Sequence, residues 1–139
     1  MDTVVLHATA GSTAQGAIAT LRERGLSYHY LVDKDGSVTK LAGTSRAAFH
    51  AGESAGPQGP AVNGYSVGVS LVNLNDGRDP YPQAQRMAVE ELLGELAVAM
   101  PSLRYLTTHY TISPGRKTDP KGYPVAELAA ACGLELWLG

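Results

Sequence analysis

At 139 residues, 44% of them hydrophobic and 17% charged, the chain can bury one core without covalent staples, and it reads as a single domain over residues 1–139. A net charge of −2 excludes a broad electrostatic grip on nucleic acid or on an anionic membrane. Cys132 is the one cysteine, which excludes an internal disulfide, and no run approaches the roughly 18 apolar residues of a membrane span. The opening "MDTVVLHATAG" has neither the basic nor the apolar region of a signal peptide, so a cytoplasmic location is expected, with any cell-wall contact depending on another route of release.

The first element is "TVVLHA" (3–8), a short β-branched run read as a buried strand that ends at His7. Ser12, with Gln15 three positions on, fits a capping box. Ala14, Ala17, Ile18 and Leu21 then repeat at helical spacing up to Gly25, a helix stop. "SYHYLVDKDGSVTKL" (27–41) reads as a hairpin turning at Asp35-Gly36. Residues 42–65, rich in Gly, Pro, Ser and Ala, form a long aperiodic loop, expected to wall a functional groove. "YSVGVSLVNL" (65–74) is a central strand. Val89, Leu92, Leu93, Leu96 and Met100 give one apolar stripe of a helix that Pro101 ends. "LRYLTTH" (103–109) is a further strand delivering His109, and "PVAELAAACG" (124–133) a last helix stopped by Gly133. Alternating strands and helices predict an α/β class with a mixed central β-sheet flanked by helices.

The chemistry-bearing residues gather at element ends. His7 closes the first strand and His109 a late one, and ligands of open α/β sheets collect beyond strand ends. The run from Thr108 to Pro124 is too polar and too proline-rich for a helix or an interior strand, and it carries Lys117 and Asp119. Read as structure alone it is a polar turn. Read as chemistry, Asp119 joins the two histidines as a third metal donor, and three protein donors with one open position is the arrangement of a catalytic zinc. His29 reads as a satisfied, half-buried strand histidine. His50, within "FHAG", either lines a groove or lies on the surface. Cys132 reads as a small buried hydrophobe.

Taken together, "LHATAGST", "SYHYLVDKDGSV", "FHAG", "NGYSVGVSLVN" and "THYTISPGRKTDP" resemble, in order and spacing, the zinc-dependent N-acetylmuramoyl-L-alanine amidases of type 2. That family includes phage endolysins, muropeptide-recycling amidases and peptidoglycan recognition proteins. The resemblance runs from Val4 to about Pro124. It implies an α/β domain with zinc at strand ends in a groove, and hydrolysis of the amide between N-acetylmuramic acid and L-alanine. By position it implies His7, His109 and Asp119 as Zn²⁺ ligands, Lys117 and Tyr28 as catalytic residues, and His50 as a substrate-groove residue. The implied partner is peptidoglycan or a muropeptide, with no nucleic acid or membrane, and the protein is expected to act as a monomer. One departure stands out: Ser70 occupies the place where the recycling branch carries a Glu base, so the Tyr28–Lys117 pair resembles the other branch. The alternative from a different class is a peptidoglycan-binding module of the same fold without catalysis. A third reading, a regulator of another protein, finds no marking surface in the chain.

Overall fold

The β-branched runs become the two central strands of one mixed sheet. A computed structural model describes all 139 residues, with strands β1 (Thr3–Ala8), β2 (Tyr30–Val32), β3 (Val38–Lys40), β4 (Ser66–Leu71), β5 (Tyr105–Thr108) and β6 (Glu135–Leu136). Helices α1 (Ala14–Arg24), α2 (Gln83–Ala99), α3 (His109–Ile112) and α4 (Val125–Cys132) complete the chain, with a 3₁₀ turn at Val62–Gly64. The sheet order is β3-β2-β4-β1-β5-β6. Only the β2–β3 hairpin is antiparallel.

Side-chain alternation divides the labour of the central strands. Val4 and Leu6 of β1, with Val67, Val69 and Leu71 of β4, face the main core. There Val89, Leu92, Leu93 and Leu96 of α2 and Leu128 and Ala129 of α4 cover them. The alternate set is Thr3, Val5 and His7 on β1 and Ser66, Gly68 and Ser70 on β4. It faces the other side, beneath a smaller cluster of Val5, Ala51, Val62 and Ile112. All four polar side chains of that set are fully buried. A central strand buried on both faces carries such groups at a cost unless they are paired, and of the four only Ser70 lacks a partner. Gln85 of α2, fully buried, donates to the carbonyls of Val32 and Val72 at 3.0 and 3.1 Å and ties α2 to β2 and to the residue after β4.

Several boundaries differ from the sequence-based expectation. Helix α1 is capped by Thr13 rather than Ser12, because the Thr13 hydroxyl accepts the Gly16 N–H at 3.0 Å. Gly25 and Gly133 end their helices in the left-handed region, as expected. His109 lies one residue past β5, opening α3 behind a Thr108 cap. Tyr28 and His29 precede β2, whose pairing with β3 runs out at Tyr30↔Lys40. The two-residue strand β6 was not anticipated. Cys132 is half-buried, its thiol near the Glu90 carbonyl at 3.6 Å. No helix is long and apolar enough to cross a membrane.

Candidate metal centre and its groove

Parallel pairing brings the histidines together. Leu6 of β1 sits in register with Thr108 of β5, so the next residue of each chain segment, His7 and His109, emerges side by side at the carboxyl end of the sheet. Asp119 returns to the same point. The Ala8 N–H donates to its Oδ2 at 3.1 Å, and its carbonyl accepts the Tyr110 N–H at 3.0 Å. Asn75 grips the flanks of that loop, donating to Thr118 Oγ1 at 3.0 Å and accepting the Lys121 N–H at 2.7 Å. Polar anchors on both sides thus explain the stiff run after His109.

The three side chains present donor atoms that all lie within 4.8 Å of one another, and all three residues are buried. His7 Nδ1 and His109 Nδ1 are 3.0 Å apart, and Asp119 oxygens stand 3.4 and 3.2 Å from them. Hydrogen bonding assigns the tautomers. His109 Nε2 donates to the Ala51 carbonyl at 3.0 Å, which leaves Nδ1 with its lone pair. On the other side, the Ser66 hydroxyl donates to the Val62 carbonyl at 2.7 Å, so its oxygen accepts from His50 Nε2 at 3.1 Å. His50 Nδ1 then accepts from His7 Nε2 at 2.9 Å, and His7 Nδ1 also carries a lone pair. Two lone pairs and a carboxylate therefore converge on one small volume, an arrangement that calls for a cation. A tetrahedral zinc with bonds of about 2.0–2.1 Å separates its ligand atoms by roughly 3.3–3.4 Å. The donor set fits that ion.

Charge follows the same logic. Burial sets His7 against protonation and, with His109 and Lys117 adding to it and Asp119 pulling the other way, brings its pKa down to about 4. Burial opposes ionisation of Asp119 too, but without a metal a proton on either Nδ1 is shared with the carboxylate. This hydrogen bonding with His109 and His7 outweighs burial and holds the carboxyl well below its usual range. His50 and His29 are lowered, burial being the first cause in each. His29 is a satisfied structural histidine, accepting the Gly68 N–H at 3.0 Å and donating to the Arg46 carbonyl at 2.7 Å.

These directions set a pH dependence for the metal-free protein. Between about pH 4 and 6.5 the unfolded chain takes up protons that buried His7 refuses, so stability is full above that window and falls as pH drops through it. For His7 alone the loss approaches about 3 kcal/mol. Asp119 adds a further loss only below its ordinary range near 3.8, where the unfolded carboxyl protonates first. Urea unfolding of metal-free protein at pH 7.5, 6 and 4.5 should show the decline. A flat profile would mean that the imidazoles are not held neutral by burial.

Above the cluster lies a groove of about 580 Å³. One wall is α1, through Gly16, Ala17, Thr20, Leu21 and Arg24; Tyr28, Phe49, His50 and Lys117 line the remainder together with His109 and Asp119, while His7 lies fully buried beneath. The 42–65 loop contributes Phe49 and His50 to this wall, less than expected for its length. His50 is buried, and both its ring nitrogens are engaged within the protein. Tyr28 packs at a tilt beside His7, ring centroids 5.0 Å apart, and burial raises its pKa, so its hydroxyl stays a donor. Ser70 pairs in register with His7 and is fully buried. Its hydroxyl lies near enough to Tyr28 to ease that ring's ionisation slightly, yet reaches no partner in acceptable hydrogen-bond geometry.

Comparison with known proteins places this geometry. Residues 1–122 match the family described as N-acetylmuramoyl-L-alanine amidase. The 1,6-anhydro-N-acetylmuramyl-L-alanine amidase AmpD of Haemophilus influenzae is 28% identical over 107 residues, 76% of this chain and 57% of that protein. The AmpD of Escherichia coli is 32% identical over 106 residues, 74% of this chain and 54% of that protein. The chain thus spans little more than half the length of these relatives. Among solved structures, the amidase AmiD from E. coli, in complex with anhydro-N-acetylmuramic acid-L-Ala-D-gamma-Glu-L-Lys, superposes with a TM-score of 0.87 at 27% identity. That match covers 99% of this chain and 59% of AmiD. AmpDh3 from Pseudomonas aeruginosa, in complex with an anhydromuramic pentapeptide, gives 0.82 at 26% identity, covering 96% and 60%. With the match spanning most of its length and the donor cluster at the sheet's carboxyl end, the chain belongs to the N-acetylmuramoyl-L-alanine amidase family.

Proposed function

We propose that residues 1–139 form one zinc-dependent amidase domain that cleaves the amide between N-acetylmuramic acid and L-alanine in peptidoglycan fragments. His7, His109 and Asp119 are the ligands, and Lys117 and Tyr28 the catalytic side chains. The observation that carries this reading is the convergence of two imidazole lone pairs and one carboxylate at separations suited to zinc. All three donors come from one chain, so the site needs no partner subunit and suits a monomer. When bound, zinc lowers the pKa of a water to roughly 7 and polarises a carbonyl.

The protein's own groups supply the rest. Lys117 and the protonated Tyr28 hydroxyl line the groove beside the donors and offer hydrogen bonds to the oxygen that gains charge as the amide carbonyl is attacked. Ser70 is given no base role, because a hydroxyl does not take up a proton at neutral pH and its side chain is buried without a hydrogen-bond partner. The groove runs along α1, an 11-residue helix about 16 Å long, whereas an extended tripeptide spans about 10 Å. A muramyl unit with its stem peptide is of a length this groove can take, and Arg24, on its lining, offers a cation to the peptide's carboxylates. Soluble anhydromuramyl peptides are favoured over intact wall because a groove of about 580 Å³ suits one muropeptide, and AmiD and AmpDh3 each hold such a fragment in their complexes. Intact donors and Lys117 favour catalysis over a binding module.

The test is mass spectrometry of products after zinc-loaded protein meets anhydromuramyl tripeptide or cross-linked sacculi. Release of a free L-alanyl peptide and a lactyl carboxylic acid is expected, faster from the soluble fragment. Cleavage at any peptide–peptide bond, or no cleavage by protein carrying one zinc per chain, would sink the reading.

A further inference from the structure

Both histidine donors are steered from behind by two consecutive residues. His50 receives the Nε2–H of His7 at 2.9 Å, and the Ala51 carbonyl receives the Nε2–H of His109 at 3.0 Å. A shift of the 50–51 backbone would therefore turn both imidazoles at once. Neither residue belongs to a strand or helix, so their position has to come from side-chain contacts.

That position comes chiefly from Asn63. Its Oδ1 accepts the His50 N–H at 3.2 Å and the Ala51 N–H at 2.9 Å. Both partners are backbone donors, which settles the amide orientation, since only the oxygen can accept. The same 3₁₀ turn, Val62–Gly64, supplies the Val62 carbonyl that ends the His7–His50–Ser66 chain. Gly68 seats the His50 ring from below: a Cβ there would fall 2.5 Å from the imidazole Cγ. Arg116 also donates to the Ala51 carbonyl, at 2.7 Å, and so holds it beside His109.

From these contacts we infer that Asn63 is a positioning residue of the metal centre, acting through the His50–Ala51 dipeptide to aim both histidine donors. This rests on the zinc reading above, but it assigns a role to residues that touch neither metal nor substrate. Outer contacts of this kind fix the tautomer and ring direction of a ligating histidine. Here one side-chain oxygen does so for two ligands, because the two supporting groups are neighbours in sequence.

The test is zinc affinity, measured by competition with a chromophoric chelator, with Co²⁺ absorption reporting ligand geometry. Asn63→Ala should weaken zinc binding by roughly 10–100-fold and alter the Co²⁺ spectrum. Asn63→Asp keeps an acceptor oxygen in place and should bind within about threefold of the wild type, which is the rescue. His50→Phe, leaving Asn63 intact, should weaken binding to a similar degree through His7 alone. Melting of each metal-free variant separates folding from positioning. If Asn63→Ala and His50→Phe lower the melting temperature but bind zinc as tightly as wild type, the role is structural only and the inference fails. Should the wild type itself bind no zinc, the zinc reading fails instead, and the two failures are told apart.

Discussion

Exhaustive chelation will abolish amide hydrolysis, one equivalent of Zn²⁺ will restore it, and Asp119→Ala will remain inactive under both conditions. The reason is electrostatic. Of the three donors only Asp119 carries charge, and its Oδ2 also anchors the Ala8 N–H at the end of β1. Its loss leaves two neutral imidazoles to hold a doubly charged ion. Zinc affinity should fall by more than the roughly 10–100-fold expected from losing an outer contact. Metal content by atomic emission, measured beside activity, checks this. Full activity in chelated protein verified to be zinc-free would remove the metal from the mechanism.

The second large effect separates catalysis from metal binding. Lys117→Ala should retain zinc and fold while kcat and kcat/KM drop together by about 10²–10³, the usual cost of losing an oxyanion donor. Tyr28→Phe removes one hydroxyl that burial keeps protonated, and a loss of at least about tenfold, or 1.4 kcal/mol, is expected. Ser70→Ala should change the rate little, because the Ser70 hydroxyl is buried without a hydrogen-bond partner and no bond is forfeited. Steady-state kinetics on an anhydromuramyl peptide gives the ranking. Were Ser70→Ala inactive and Tyr28→Phe normal, the catalytic pair would have been assigned to the wrong residues.

Much of this geometry was legible in the chain because it depends on period and punctuation. Strict alternation in "SVGVSL" separates Val67, Val69 and Leu71 from Ser66, Gly68 and Ser70, and the α2 stripe lands on the core through Val89, Leu92, Leu93 and Leu96. His7 and His109 could be placed at strand ends from local pattern alone, and parallel pairing did the rest. What stayed hidden depends on contacts far apart in sequence. His7 and His50 are 43 positions apart, and nothing in "FHAG" reveals that the ring faces inward. The 42–65 loop looked like a groove wall because it lacks periodicity. Its larger task, holding residues 50 and 51 through Asn63 and Val62, is carried by hydrogen bonds that no local pattern encodes. A two-residue strand such as β6 shows no period at all, and the choice of Thr13 over Ser12 as cap depends on which hydroxyl meets the Gly16 N–H.

Helix α1 has no fully buried residue; Ala14, Ala17, Ile18 and Leu21 are only half covered, and the ends are secured by Thr13 and Gly25. The donor cluster, in contrast, rests on strands buried from both sides. The molecule thus joins a floor buried from both sides to a wall with few buried contacts, the kind of element that opens more readily than a core does. A ligand entering the groove must still that wall, and the ordering entropy is drawn from its affinity. In the proposed amidase, a wall held this way is expected to lower affinity for product as well as for substrate.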